Sequence, residues 1–148
     1  MIDAMSKRPG GTEPHRPRSL SVTASASPAA IAELRHSAAE FAAGHGADKK
    51  LTDDIALAVS EAVTNVVKYA YGPGQARPAG SKVELEAEAD SDWLEVRIYD
   101  RGAGFGGGPS DGLGLGLSIM ASLSAELTIV QEGEGTEVRM RFPLPAVR

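Results

Sequence analysis

The stretch Leu51 to Tyr71, LTDDIALAVSEAVTNVVKYAY, constrains the chain most, because its apolar residues fit a helix and no strand. Ile55, Ala58, Val59, Ala62, Val63, Val66, Val67 and Ala70 recur at helical spacing and make one broad apolar face. The spacing predicts a single helix with Thr52 as its N-cap and Asp53 and Asp54 in the first turn, where the helix dipole favours acids. Gly72 and Pro73 would end it. Glu61, Asn65 and Lys68 fall on one line of this helix, since steps of four and three residues rotate by only about 40° and −60°. A carboxylate, a carboxamide and an ammonium are thereby aimed at one place. Taken alone, the stripe reads as a solvated face with a Glu–Lys neighbourhood; residues further along change that reading.

The rest of the chain supplies a partner sheet. Ser19 to Ala24, SLSVTA, alternates polar and apolar residues as a short strand. Ser27-Pro28 marks a helix start, and the helix that follows places Ile31, Leu34, Ala38 and Phe41 on one face before ending at Gly44 or Gly46. Arg35 points away from that apolar stripe. Gly72 to Gly80 is a loop, and Lys82 to Glu88 and Trp93 to Tyr99 form two alternating strands around a turn at Asp90 to Asp92. The first of them turns Glu84, Glu86 and Glu88 outward and Val83, Leu85 and Ala87 inward. After a glycine-rich segment from Asp100, a helix resumes at about Leu115. Two more strands follow, Glu126 to Glu132 and Glu137 to Leu144, joined by Gly133-Glu134-Gly135. This order implies an α/β two-layer sandwich (α+β in its segregation), with a mixed, mostly antiparallel sheet and helices on one face.

Composition narrows the function classes. A chain of 148 residues suits one domain with a single proper core. A net charge of −5 argues against nonspecific nucleic-acid binding, which needs a basic surface. The absence of cysteine removes disulfides and thiolate metal sites, and three scattered histidines (His15, His36, His45) lack ligand spacing. No apolar run approaches the roughly 20 residues that span a bilayer, and no secretory leader is apparent, so the expected location is the cytoplasm. Met1 to Arg18 is rich in Pro, Gly and charge and reads as a disordered tail, residues 1–18, ahead of one domain over residues 19–148.

Three glycine segments carry the chemistry. Asp100-Arg101-Gly102-Ala103-Gly104-Phe105 follows a strand directly, and a carboxylate there can accept hydrogen bonds from a ring amine. Gly112-Leu113-Gly114-Leu115-Gly116-Leu117 opens a helix, whose bare N-terminal amides suit a phosphate. It lacks the Gly-Lys-Ser/Thr of a Walker A loop, and it does not open a first βαβ unit as a dinucleotide fold requires. Gly133-Glu134-Gly135-Thr136 reads alone as a hairpin turn.

Together and in this order, E-x-x-x-N on a helix, D-x-G-x-G, G-x-G-x-G and G-x-G-T resemble the N, G1, G2 and G3 boxes of the GHKL (Bergerat-fold) ATP-binding superfamily. The resemblance covers about Ser19 to Leu144. It implies a histidine-kinase-like ATP-binding domain using ATP and Mg²⁺, with Asn65 on the metal and Asp100 on the adenine amine. Lys68, Gly102, Gly104, Gly112, Gly114, Leu115 and Gly116 would complete the nucleotide contacts, and Thr136 would sit beneath the adenine. A carboxamide oxygen suits Mg²⁺, which otherwise keeps waters and phosphate oxygens.

Within the superfamily, the chain's length and the segment VSEAVTN (Val59 to Asn65) resemble the stand-alone anti-sigma-factor serine/threonine kinases of RsbW type. That resemblance implies Glu61 as general base, a sigma factor and an anti-anti-sigma antagonist of STAS type as partners, a homodimer, and Arg35 as the residue that meets a partner. Direct nucleic-acid or membrane contact is not implied. One departure stands out. Only Phe105 to Asp111 separate Gly104 from Gly112, with no Lys or Arg among them, so the lid offers little to a γ-phosphate. GLGLGLSIM also resembles the histidine-kinase G2 box at least as closely. A nucleotide-gated binding module and a stand-alone histidine-kinase-like catalytic domain are therefore the alternatives.

Overall fold

A computed structural model describes residues 18–70, 80–102, 111–132 and 135–145. It holds five strands and three α-helices: β1 (Ser19–Ser25), α1 (Pro28–Ala43), α2 (Lys49–Asn65), β2 (Lys82–Ala89), β3 (Trp93–Asp100), α3 (Asp111–Leu123), β4 (Glu126–Glu132) and β5 (Gly135–Pro143). The strands form one sheet in the order β1-β2-β3-β5-β4. A mixed sheet was the expectation; all four pairings are antiparallel. Apart from its final residue, the tail lies outside the described residues, as does the loop from Tyr71 to residue 79.

The core lies between the sheet and the helices. Val83, Leu85 and Ala87 of β2, Leu94, Val96 and Ile98 of β3, and Val138, Met140 and Phe142 of β5 are buried. They meet Leu34, Ala38 and Phe41 of α1, Ile55, Val59 and Val63 of α2, and Met120 of α3 in one apolar cluster. α2 is the central helix, packed on α1, α3 and β3. Its predicted apolar face is buried through Val67, while Leu57 on the opposite side is exposed.

The outer face of the sheet is a lattice of charges. Arg97, only 13% exposed, reaches Glu86, Glu88 and Glu95. Burial opposes its charge, but the Glu95 and Glu86 carboxylates more than compensate and hold its pKa above the ordinary value. Arg139 pairs with Glu137, and Arg141 with Glu126 while its guanidinium lies 4.3 Å over the Trp93 ring. Of the acidic face expected of β2, Glu86 and Glu88 are met by the Arg97 guanidinium on the neighbouring strand.

Two boundaries differ from expectation for identifiable reasons. The central helix begins a turn before Thr52, at Lys49. Asp48 is its N-cap, with its side chain accepting from the Leu51 N–H at 2.9 Å. Asp53 and Asp54 instead pair with Lys49 and Lys50 one turn back, at 2.9 and 2.8 Å. At the other end, regular α-helix stops at Asn65 and widens into a π-turn over Val66–Ala70. The third helix begins at Asp111, four residues earlier than its glycines suggest, because packing on α2 outweighs weak intrinsic propensity.

Candidate functional site

Two groups of predicted residues are assembled, and α2 and β3, which pack on each other, carry one each. The first lies where α2 meets α3. Asn65 is 3% exposed, and its amide nitrogen has no hydrogen-bond partner among the described residues. Glu61, one turn earlier, is half-buried. Gly116 of α3 sits directly against both. A Cβ at this position would come within 3.2 Å of Asn65 Nδ2, 3.3 Å of Glu61 Oε1 and 3.4 Å of Asn65 Oδ1. Glycine at 116 therefore allows the α3 backbone to approach the carboxylate and the carboxamide together.

A buried carboxamide without a partner is costly in a finished core, since an unmade hydrogen bond on a buried polar group costs about 1–3 kcal/mol. At a binding site the same group is poised for something the protein chain does not supply. No cluster of three or more His, Asp or Glu able to hold a metal exists among the described residues. A cation at Asn65 would draw its other ligands from water and phosphate oxygens, the donor set Mg²⁺ prefers.

The second group lies at the junction of β3 and β5. Asp100 ends β3, Thr136 stands near the start of β5, and the two are cross-strand partners. They are 6% and 3% exposed, respectively. One Asp100 oxygen accepts from the Gly102 N–H at 2.9 Å, which fixes the carboxylate at the strand end. Burial raises the Asp100 pKa, with the Gly102 hydrogen bond pulling the other way. The Thr136 hydroxyl is buried without a hydrogen-bond partner among the described residues. Gly135 closes the group, since a Cβ there would lie 2.6 Å from the Asp100 main-chain oxygen. This junction offers a carboxylate acceptor beside an unsatisfied hydroxyl, suited to a flat polar edge such as an amino-purine.

The remaining predicted residues divide. Lys68 is exposed and lies on the π-turn that follows Asn65. Gly112, Gly114 and Leu115 belong to the first turns of α3 rather than to a loop ahead of it. Gly116 lies beyond the N-terminal turn, and its visible role is close packing. Gly104 and most of the short lid lie outside the described residues. Arg35 is exposed on α1 and belongs to neither group. Gly135, read in the sequence as part of a hairpin turn and of the G-x-G-T segment, is the first residue of β5, two residues before the expected strand start at Glu137.

Among the described residues, no helix is long and apolar enough to cross a membrane. No curated protein matches the sequence. Solved structures share the fold, two of them as follows. One contains the RsbU and RsbW domains of Rv1364c from Mycobacterium tuberculosis, at 24% identity and a TM-score of 0.61 over 88% of this chain. This chain spans only 34% of that one. The other is the histidine kinase domain of the blue-light activated histidine kinase EL346 from Erythrobacter litoralis, at 22% identity and a TM-score of 0.51. It matches over 78% of this chain and 60% of its own. A model of the histidine kinase-like ATPase domain matches residues 24–142, from the strand that opens the fold to the one that closes it. The chain belongs to the histidine kinase-like ATPase domain family, whose nucleotide is ATP.

Proposed function

We propose that this protein is an ATP-dependent serine/threonine kinase that also acts as an anti-sigma factor, phosphorylating a serine on a STAS-type antagonist. The observation that carries the reading is the convergence of Glu61 and Asn65 on Gly116. A potential base and a potential metal ligand meet there beside the glycine-rich helix start. The likeness to a structure that includes an RsbW domain supports the same choice.

In this reading Asp100 accepts the adenine amine, Thr136 lies beneath the ring, and the first-turn amides of α3 take phosphate oxygens. When bound at Asn65, Mg²⁺ would neutralise charge on the phosphates. Glu61 takes the proton from the antagonist's serine hydroxyl as its oxygen attacks the γ-phosphorus, and ADP leaves with the bridging oxygen. The phosphate gives the antagonist about −1.5 to −2 charge, which disfavours its contact with this acidic protein. Unphosphorylated antagonist would hold the kinase and release sigma. Arg35, exposed on α1, is the residue we assign to partner contact.

The test is transfer of label from γ-labelled ATP and Mg²⁺ to a STAS-domain antagonist, followed by phosphoamino-acid analysis. Acid-stable phosphoserine supports the proposal. Acid-labile phosphohistidine on a separate acceptor would make the chain a detached histidine-kinase-like catalytic domain. The lid's lack of Lys and Arg favours a second reading, a nucleotide-gated binding module, which predicts no label yet nucleotide-dependent partner binding.

A further inference from the structure

Leu57 is the one large apolar side chain left exposed among the described residues, at 45%. A single surface leucine is ordinary in itself, but the position of this one is not. Glu61 lies one turn further along α2, so the two side chains are i, i+4 neighbours on one face, with Cβ atoms about 5–6 Å apart. Glu61 in turn meets Gly116 of α3 together with Asn65. The exposed leucine therefore borders the point where an acceptor hydroxyl would be activated.

The charges beside Leu57 are already engaged. Asp53 and Asp54, one turn before it, pair with Lys49 at 2.9 Å and Lys50 at 2.8 Å. Ser60, on the turn after it, is uncharged. An apolar group can cover Leu57 without stripping water from an unpaired charge on the preceding turn.

We infer that Leu57 selects the protein substrate, by holding an apolar side chain of the acceptor segment while that segment's serine lies at Glu61. This rests on the kinase reading above. Serine is short, so the acceptor backbone must come close to a half-buried carboxylate. An extended segment does so more readily than a helix about 10–12 Å across. Four residues of α-helix advance about 6.0 Å, and two residues of extended chain about 6.6 Å. Side chains two apart in an extended segment also point the same way. A serine over Glu61 thus sets the residue two positions before or after it over Leu57, and that residue is Leu, Ile, Val, Met or Phe. In this role Leu57 touches neither ATP nor the reacting atoms, so it strengthens substrate binding and leaves the chemical step alone.

The test compares full chains of the wild type, Leu57→Gln and Leu57→Met with the STAS-domain antagonist of the transfer assay. Gln keeps the helix propensity and removes the apolar contact, while Met keeps both. Leu57→Gln should raise the KM for the antagonist about tenfold, the low end of what one apolar contact discriminates. Its kcat and its ATP-induced rise in melting temperature should stay near wild type. Leu57→Met should restore the wild-type KM. Mapping the labelled serine then identifies the apolar residue two positions from it. Changing that residue to Gln should raise KM by the same factor, with no further rise when both partners are changed. An unchanged KM in Leu57→Gln, or no apolar residue two positions from the labelled serine, would overturn the proposal and leave the kinase reading standing. Calorimetry of antagonist binding covers a wild type that transfers no label. Binding weakened about tenfold by Leu57→Gln would then keep the docking role while the kinase reading falls, and equal binding in both would sink the two together.

Discussion

Gly135 lies so close to Asp100 that no side chain fits between them, with 2.6 Å separating a Cβ at 135 from the Asp100 main-chain oxygen. The contact is to backbone, which cannot swing aside as a side chain can. Gly135→Ala should therefore separate the end of β3 from the start of β5, disturbing Asp100 and its cross-strand partner Thr136. The expected cost is about 1–3 kcal/mol, the usual range for overpacking a well-fitted site. For a chain of this size that is a drop in melting temperature of roughly 2–12 °C. Thermal melts with and without ATP check it, and the stabilisation by nucleotide should shrink as well.

Asp100 should show stability and binding moving in opposite directions. Burial raises its pKa above the ordinary 3.8, so the native state holds its proton more tightly than the unfolded chain does. Stability from this group therefore falls as pH rises from the unfolded value through the raised native one, and remains lower above it. Asp100→Asn removes the charge and keeps an oxygen for the Gly102 N–H. The nucleotide-free mutant should melt at or above the wild type at pH 7. The rise in melting temperature caused by ATP and Mg²⁺ should be lost, because the carboxylate acceptor is gone. A mutant that keeps the full ATP shift would remove Asp100 from the adenine site.

The fold was legible because its signals were periodic. Alternation in Lys82 to Glu88 and Trp93 to Tyr99 and the helical stripe from Ile55 to Val67 translate directly into buried faces. Asp100 was legible as a carboxylate at a strand end beside glycines, whereas Asn65, on a stripe that alone reads as a solvated face, was legible only through the glycine segments that follow it. The ends of elements were less so. Asp48 capped the helix in place of Thr52 because two lysines ahead of the apolar pattern joined the helix and paired with Asp53 and Asp54. The π-turn after Asn65, which carries the exposed Lys68, leaves no mark in the apolar spacing. The packing role of Gly116 depends on α2, more than 50 residues earlier, and no local pattern reports it.

Asn65→Ala tests whether the orphaned carboxamide is kept for a ligand. In the nucleotide-free protein the change deletes a buried amide nitrogen that has no partner among the described residues, so stability should hold or rise despite the small cavity. In the presence of ATP, the extra stabilisation that Mg²⁺ adds over ATP alone should largely disappear. Equal loss with and without Mg²⁺ would mean that Asn65 shapes the pocket without touching the metal. Titrations of melting temperature against ATP, in Mg²⁺ and in chelator, separate the two outcomes.

Glu61 decides between catalysis and binding alone. Its carboxylate reaches the same point on α3 as Asn65, but a general base acts on the attacking hydroxyl and contributes little to holding ATP. Glu61→Gln keeps the shape and removes the charge, and the half-buried position tolerates the swap. ATP affinity should stay near the wild-type value, while transfer of label to the antagonist's serine should fall by roughly 10²–10⁴-fold, the usual worth of general-base catalysis. Sigma-factor capture should persist in the mutant, since Arg35 on α1 lies outside this group. Comparing single-turnover rates at saturating nucleotide isolates the chemical step from binding. Unchanged transfer in the mutant would show that Glu61 is not the base. A wild type that transfers no label to its antagonist, yet releases or captures partners according to nucleotide, would favour the module reading. The lid without a basic side chain would then be the physical reason, because nothing from it would offset charge on the γ-phosphate.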